Sequence, residues 1–349
     1  MARSFFFVGH ETIGAYVACH LAERGWEQVD DAAVADVCLS YCTSATSLEE
    51  AYFGEQGFVK NARPGTALID LSPSTPSFAR ELSAIATVSD LNPVEAPLAI
   101  VNPICDDALT PANVRCYLGG ESDGVETALP IVEALASEIV QTGGFGSAQL
   151  AKAAHTVQAS ARVMSAVEAD ALRRVSKAQG LIADSVSDAF PLLGATERSI
   201  VEASEAGVYE GAYTVEMLMA DVAAAMTAAD DVELILPQLE SVFHILEVVA
   251  VIGGSDMTPA VLSLVYRDEA ASAEVGLDWT RAENLFSMDG DYEGHDHGGH
   301  HHDHSHHHGD GFSDYGDPDD YDYDDYDGRG GGFGDFGGFA DAYRGYSSN

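Results

Sequence analysis

The stretch Phe5-Phe6-Phe7-Val8-Gly9-His10-Glu11-Thr12-Ile13-Gly14 decides how the chain is read. Four apolar residues make a short buried strand, and two glycines five apart bracket a turn that opens an apolar-periodic helix over 15–24. A strand, a glycine turn and a helix in that order form a dinucleotide-binding unit, with the pyrophosphate on the helix N-terminus. Gly9 and Gly14 take the first and third glycine positions, and Glu11 stands where the second would let the backbone touch the pyrophosphate. A carboxylate there repels phosphate, so the turn carries its own contradiction.

Outward from this turn, apolar runs at 37–41, 67–71, 94–100 and 115–118 alternate with helical stretches, the pattern of a parallel sheet with crossover helices. From 146 to about 278 the chain turns rich in Ala, Leu, Val and Glu. Ser147 is expected to cap one long helix that Gly180 ends, and Thr258-Pro259 to open another. The fold expected is therefore a Rossmann-like α/β domain over 1–143 and an all-helical domain over 144–285. A tail over 286–349 is too polar and Gly-rich to bury a core.

Several of these segments, taken together, resemble the β-hydroxyacid dehydrogenases, the relatives of 3-hydroxyisobutyrate and 6-phosphogluconate dehydrogenases. Residues 36–54 resemble the family's third-strand segment, and Arg63-Pro64-Gly65-Thr66 with Ile69-Asp70-Leu71-Ser72-Pro73 its "RPGT…DxST" run. Glu95-Ala96-Pro97 stands where "DAPVSGG" begins, Leu118-Gly119-Gly120 where a "GG" strand ends, and 146–152 resembles the "GxGxxxK" segment. The resemblance implies hydride transfer between NAD or NADP and a small hydroxy-acid, carbonyl or imine substrate, with Lys152 as acid/base. It places Gly9, His10, Ile13, Gly14, Cys42, Thr43 and Ser72 on the cofactor, and Ala99, His155, Thr156 and Asp221 on the substrate. It also implies a homodimer formed through the helical domain.

Lys152 stands out on its own account, since the chain has three lysines in all, Lys60, Lys152 and Lys177. Oxidising an alcohol needs a base for its proton, and reducing a carbonyl needs an acid at the developing oxyanion. His155 and Thr156, three and four residues on, share its helix face. The sequence also departs from the family. Ala99-Ile100-Val101 replaces the Ser-Gly-Gly that holds a substrate carboxylate, and Ala220-Asp221 replaces a Lys-Asp pair. Between the first helix and residue 36, about one strand and one helix are expected to be missing. Glu27, Asp30 or Asp31 could still supply an acid near the ribose, which suits NAD over NADP. These losses support a second reading, a catalytically degenerate dehydrogenase-derived protein.

The tail suggests a third property. His295, His297, His300, His301, His302, His304, His306, His307 and His308 lie among interleaved aspartates and suit Ni, Zn, Co or Cu held in several weak sites. The net charge of −41 argues against nucleic acid and anionic membranes as partners. With no long apolar run and five cysteines without CxxC spacing, the expectation is a cytoplasmic protein with reduced thiols.

Overall fold

A computed structural model describes residues 3–104, 108–181 and 194–288, with the side chains of 285–288 left out. These residues fall in one compact unit. The glycine turn forms as read. Strand β1 (Arg3–Gly9) leads through His10 into helix α1 (Glu11–Glu23), which buries Ile13, Tyr16, Val17 and Leu21. Gly9 is at φ +131°, and a Cβ there would sit 1.9 Å from the Tyr41 carbonyl oxygen. Only glycine permits that backbone contact.

The region before residue 36 corrects the sequence reading. A second strand exists, β2 (Trp26–Gln28), three residues long and parallel to β1. Only the crossover helix is absent, because residues 29–36 form turns that return directly to β3 (Val37–Tyr41) on the other side of β1. Trp-Glu-Gln shows no alternation of apolar and polar residues, which hid the strand. Helices α2 (Ala45–Phe53) and α3 (Phe58–Asn61) then lead to β4 (Ala67–Asp70), and α4 (Pro76–Val88) leads to β5 (Asn92–Glu95). Strands β1, β3, β4 and β5 are mutually parallel, and buried residues fill β3 and β4.

Beyond β5 the sheet is not parallel as expected. The apolar run 94–100 is broken at Ala96-Pro97 into β5 and β6 (Leu98–Ile100). Both pair antiparallel with β7 (Val114–Gly120) in one continuous register, from Val94 opposite Gly120 to Ile100 opposite Val114. Among the described residues of the link from Ile100 to Val114 there is no crossover helix that could set a parallel strand. Helix α5 (Ser122–Leu135) then returns the chain to β8 (Glu138–Gly143), parallel to β7 and also unanticipated.

Helix α6 (Ser147–Ala178) runs 32 residues. Its left-handed cap is Gly146, one residue before the expected Ser147, and Gly180 at φ +70° follows its end as read. Around α6 pack α7 (Ala195–Ala206), α8 (Val215–Asp230) and α9 (Pro237–Val249), then a 3-10 helix (Pro259–Tyr266) entered through Thr258. Two further helices, α10 (Glu269–Glu274) and α11 (Trp279–Met288), close the described chain. Leu246, Val249 and Ile252 are fully buried core. Among the described residues no single helix is long and apolar enough to cross a membrane.

Candidate active site

Two neighbouring strands that connect in opposite directions open a crevice at their carboxyl ends. Here β1 feeds β2 on one side and β3 feeds β4 on the other. Gly9-His10 and Cys42-Thr43 therefore line the mouth, tied by a 2.8 Å bond from the His10 N–H to the Tyr41 carbonyl. The first-turn N–H groups of α1 at Glu11, Thr12 and Ile13 have no acceptor within the helix, which makes an anion seat. Gly14 lets α1 lie against β1, since a Cβ there would press on the Phe7 ring at 2.9 Å. These features fit a dinucleotide. The Glu11 side chain is exposed at the same helix end, where its charge would oppose a bound phosphate. The Ile13 side chain is buried, so Ile13 would serve a cofactor through its backbone only.

Cys42 and Ser72 hold each other rather than presenting side chains to solvent. The Cys42 N–H donates to Ser72 Oγ at 2.9 Å, and burial pushes the Cys42 thiol up to about 12. The Ser72 N–H and the Ser40 hydroxyl both donate to Asp70 Oδ1, at 3.0 and 3.1 Å. Burial raises the Asp70 carboxyl to about 6 despite those donors. Its native form thus binds more protons than the unfolded chain between about pH 4 and 6, and stability from Asp70 is lost as pH rises through that window. Asp70→Asn is expected to be more stable than the wild type at pH 8, by up to ~3 kcal/mol, with no advantage below pH 4. Denaturant unfolding at pH 4, 6 and 8 checks this.

Two side chains to which sequence reasoning gave no role clamp α6 to the sheet. Glu95, at the end of β5, accepts from the Ala148 N–H at 3.1 Å and the Gln149 N–H at 3.3 Å, two of the orphan donors of the α6 first turn. Gln149 accepts from the Ser74 N–H at 3.0 Å and donates to the Ser72 carbonyl at 3.1 Å. The helix is thereby fixed against the strand ends one turn before Lys152.

Lys152 is buried, with 4% of its side chain exposed, and its ammonium meets Asp221 Oδ2 of α8 at 2.6 Å. The Tyr213 hydroxyl donates to the same oxygen at 2.7 Å. His155, Thr156 and Asp221 share the cavity with Lys152, as expected, and Ile100 and Leu218 add aliphatic walls. Ala99 does not line it. Alternation along β6 turns Ala99 to the other face, into a small cluster with Tyr117 and Ala148, and brings Ile100 to the cavity instead. His155 Nδ1 lies 3.3 Å from the Tyr117 hydroxyl; burial, then the Lys152 charge, pushes its imidazole down to about 4, so it is neutral at pH 7. Thr43, expected on the cofactor, donates its hydroxyl to Glu216 of α8 at 2.8 Å and so bridges sheet and helices.

Residues 17–144 match the model for the NAD binding domain of 6-phosphogluconate dehydrogenase. That match begins inside α1, so the glycine turn rests on its geometry alone. The chain is 25% identical over 200 residues to the uncharacterized oxidoreductase YkwC of Bacillus subtilis, covering 50% of this chain and 68% of that one. Over 279 residues it is 24% identical to an uncharacterized oxidoreductase of Synechocystis, covering 77% and 94%.

Over residues 17–144 the chain is therefore similar to the NAD binding domain of 6-phosphogluconate dehydrogenase, and the relatives it matches are oxidoreductases.

Relatives with an assigned activity match over less of their length. The NAD-dependent L-serine dehydrogenase of Pseudomonas aeruginosa is 26% identical over 138 residues, 40% of this chain and 45% of its own. A solved 3-hydroxyisobutyrate dehydrogenase from Salmonella typhimurium superposes with a TM-score of 0.61 at 18% identity, covering 75% of this chain and 99% of that one, a likeness of fold. The described residues contain no cluster of three metal-ligating side chains, and the histidines at 295–308 lie outside them.

Proposed function

We propose that the chain is an NAD(P)-dependent oxidoreductase in which Lys152 holds the proton at the reacting oxygen or nitrogen of a small carbonyl, imine or hydroxy compound. The observation that carries this reading is the buried Lys152 ammonium, set in the cavity wall by an α6 that Glu95 and Gln149 pin to the strand ends. A bound nicotinamide would supply or receive the hydride. Gly9, His10, Ile13 and Gly14 would hold the pyrophosphate side, and Cys42, Thr43 and Ser72 would shape the nicotinamide side. Lys152 Nζ keeps donors beyond the one given to Asp221 and can offer one to a developing oxyanion. Ile100 and Leu218 keep water from that bond. The cavity measures about 10 Å³, room for about one water, so a substrate must part its walls.

Asp30 and Asp31 follow the end of β2, beside β1, and their carboxylates would repel a 2′-phosphate. We therefore favour NAD over NADP. The exposed apolar residues Leu172, Val175 and Ile235 of the helical region would pair in a homodimer. The test is nicotinamide absorbance followed with a panel of small carbonyls, imines and hydroxy acids. Turnover that vanishes in Lys152→Met supports the reading, and turnover unchanged in that variant removes Lys152 from it.

Glu11 in the anion seat favours the second reading, a protein that keeps the fold and has lost turnover. The histidine-rich segment adds a separate property, divalent metal held in several exchanging sites. Truncation after Met288 is expected to remove most Ni or Zn binding and leave thermal stability nearly unchanged, as metal titration and a melting curve would show.

A further inference from the structure

Helix α8 lies across the route that the crevice leaves to Lys152. A dinucleotide seated on the α1 first turn puts its adenosine half toward β2, where an acid past that strand meets the ribose, and its other half past the end of β3. Lys152 lies on that second side, since Gln149 one turn before it holds the Ser72 carbonyl beyond β4. The carboxylates of α8 face the same strand ends. Tyr41 is the last residue of β3, and its phenol is raised well above the usual range by burial first, then by the charges of Asp221 and Glu216.

One side-chain hydrogen bond closes the route. The Thr43 hydroxyl, two residues past β3, donates to Glu216 Oε1 at 2.8 Å. The backbone at Glu216 belongs to the helical side. The Val215 and Glu216 N–H groups donate to the carbonyls of Met257 and Ser255 at 2.8 and 3.0 Å, and Thr214 caps the helix by accepting from the Met217 N–H at 3.3 Å. It is the Glu216 side chain that reaches across to the strand end. The far end of α8 carries a tie of the same kind: the Ser77 hydroxyl on α4 donates to Asp231 Oδ2. That tie is about 22 Å from Glu216 along the helix, 15 residues at ~1.5 Å each, and clear of the β1–β3 crevice.

We propose that the Thr43–Glu216 bond is a latch that shuts out the nicotinamide half of the cofactor until the Glu216 side chain swings away. The proposal rests on the cofactor seat of the oxidoreductase reading. The whole dinucleotide binds only the unlatched fraction of the molecules, so its apparent affinity is lowered by that fraction. The adenosine and pyrophosphate lie on the α1 side of Thr43 and escape this penalty. Glu216 thereby sets how tightly the complete cofactor is held relative to its adenosine end.

The test titrates the full chain by calorimetry with NADH and, in the same buffer, with ADP, which carries the adenosine and two phosphates and nothing beyond them. Glu216→Ala is expected to bind NADH about tenfold more tightly than the wild type, the size of a hydrogen bond to a charged group, and to bind ADP as the wild type does. Glu216→Gln drops the charge but keeps an acceptor for Thr43, so it gains less than Glu216→Ala. Unchanged NADH affinity in Glu216→Ala would overturn the latch. Equal gains for NADH and ADP, or a gain in Glu216→Gln as large as in Glu216→Ala, would replace it with simple charge repulsion. The same selective gain in Ser77→Ala would replace it with a general loosening of α8. Each of these results leaves the cofactor seat standing. Binding of neither NADH nor ADP to any of these proteins would instead contradict the oxidoreductase reading, and the latch with it.

Discussion

Replacing Lys152 with methionine is expected to lower turnover by ~10²–10⁴-fold, the usual contribution of a positioned acid or base, while cofactor affinity stays within a few-fold. The separation follows from distance in the fold. Lys152 lies on the second turn of α6, whereas the anion seat is the first turn of α1 across the β1–β3 crevice. Methionine keeps the aliphatic stem and removes only the charge and its donors. Asp221 then lies buried without a counter-ion and takes up a proton rather than unfold the domain. Steady-state rates and cofactor titration on the same preparation check both halves. Equal losses of turnover and cofactor affinity would show a damaged fold, not a missing acid.

Asp221→Ala is expected to be the most destabilising single change near the site, by ~3–5 kcal/mol, because it strands the Lys152 ammonium and leaves the Tyr213 hydroxyl without its acceptor. At about 2–4 °C per kcal/mol, the melting temperature falls by roughly 6–20 °C. The double variant Lys152→Met with Asp221→Leu is expected to recover most of that loss, since an apolar pair of similar volume avoids burying charge. A double variant no more stable than Asp221→Ala would place the loss in packing rather than in the broken ion pair. The melts belong at pH 7–8. Below about 6.5 His155, neutral in the fold, adds its own cost of burial as the unfolded imidazole takes up protons.

Local sequence carried the parts of this fold that rest on local physics. Phe5-Phe6-Phe7-Val8 before Gly9 reads as a strand meeting a tight turn, although only Phe5 of the four is fully buried, and Lys152, His155 and Thr156 had to share a helix face. The partner of Lys152 was not legible in the same way. Asp221 lies 69 residues further on, and its carboxylate was read as what remained of a substrate contact rather than as a counter-ion. Glu95 was noticed for the company of Ala96-Pro97, yet its work on the α6 first turn depends on where β5 ends, which no spacing reveals. The same holds for β2 and β8. Each is an edge strand with polar residues facing water, and its pairing is settled by the neighbour it meets rather than by its own pattern.

Glu11 puts the central claim to a direct challenge, because the seat that would hold the dinucleotide also carries a charge against its ligand. A carboxylate about 4 Å from a phosphate in a water-like surrounding costs about 1 kcal/mol, several-fold in affinity and no more. Calorimetric titration of the full chain and of Glu11→Gln with NADH and with NADPH measures this. Micromolar NADH binding, tightened several-fold in Glu11→Gln and weaker for NADPH, is the result expected. No binding of either cofactor at millimolar concentration, in either protein, would contradict the account.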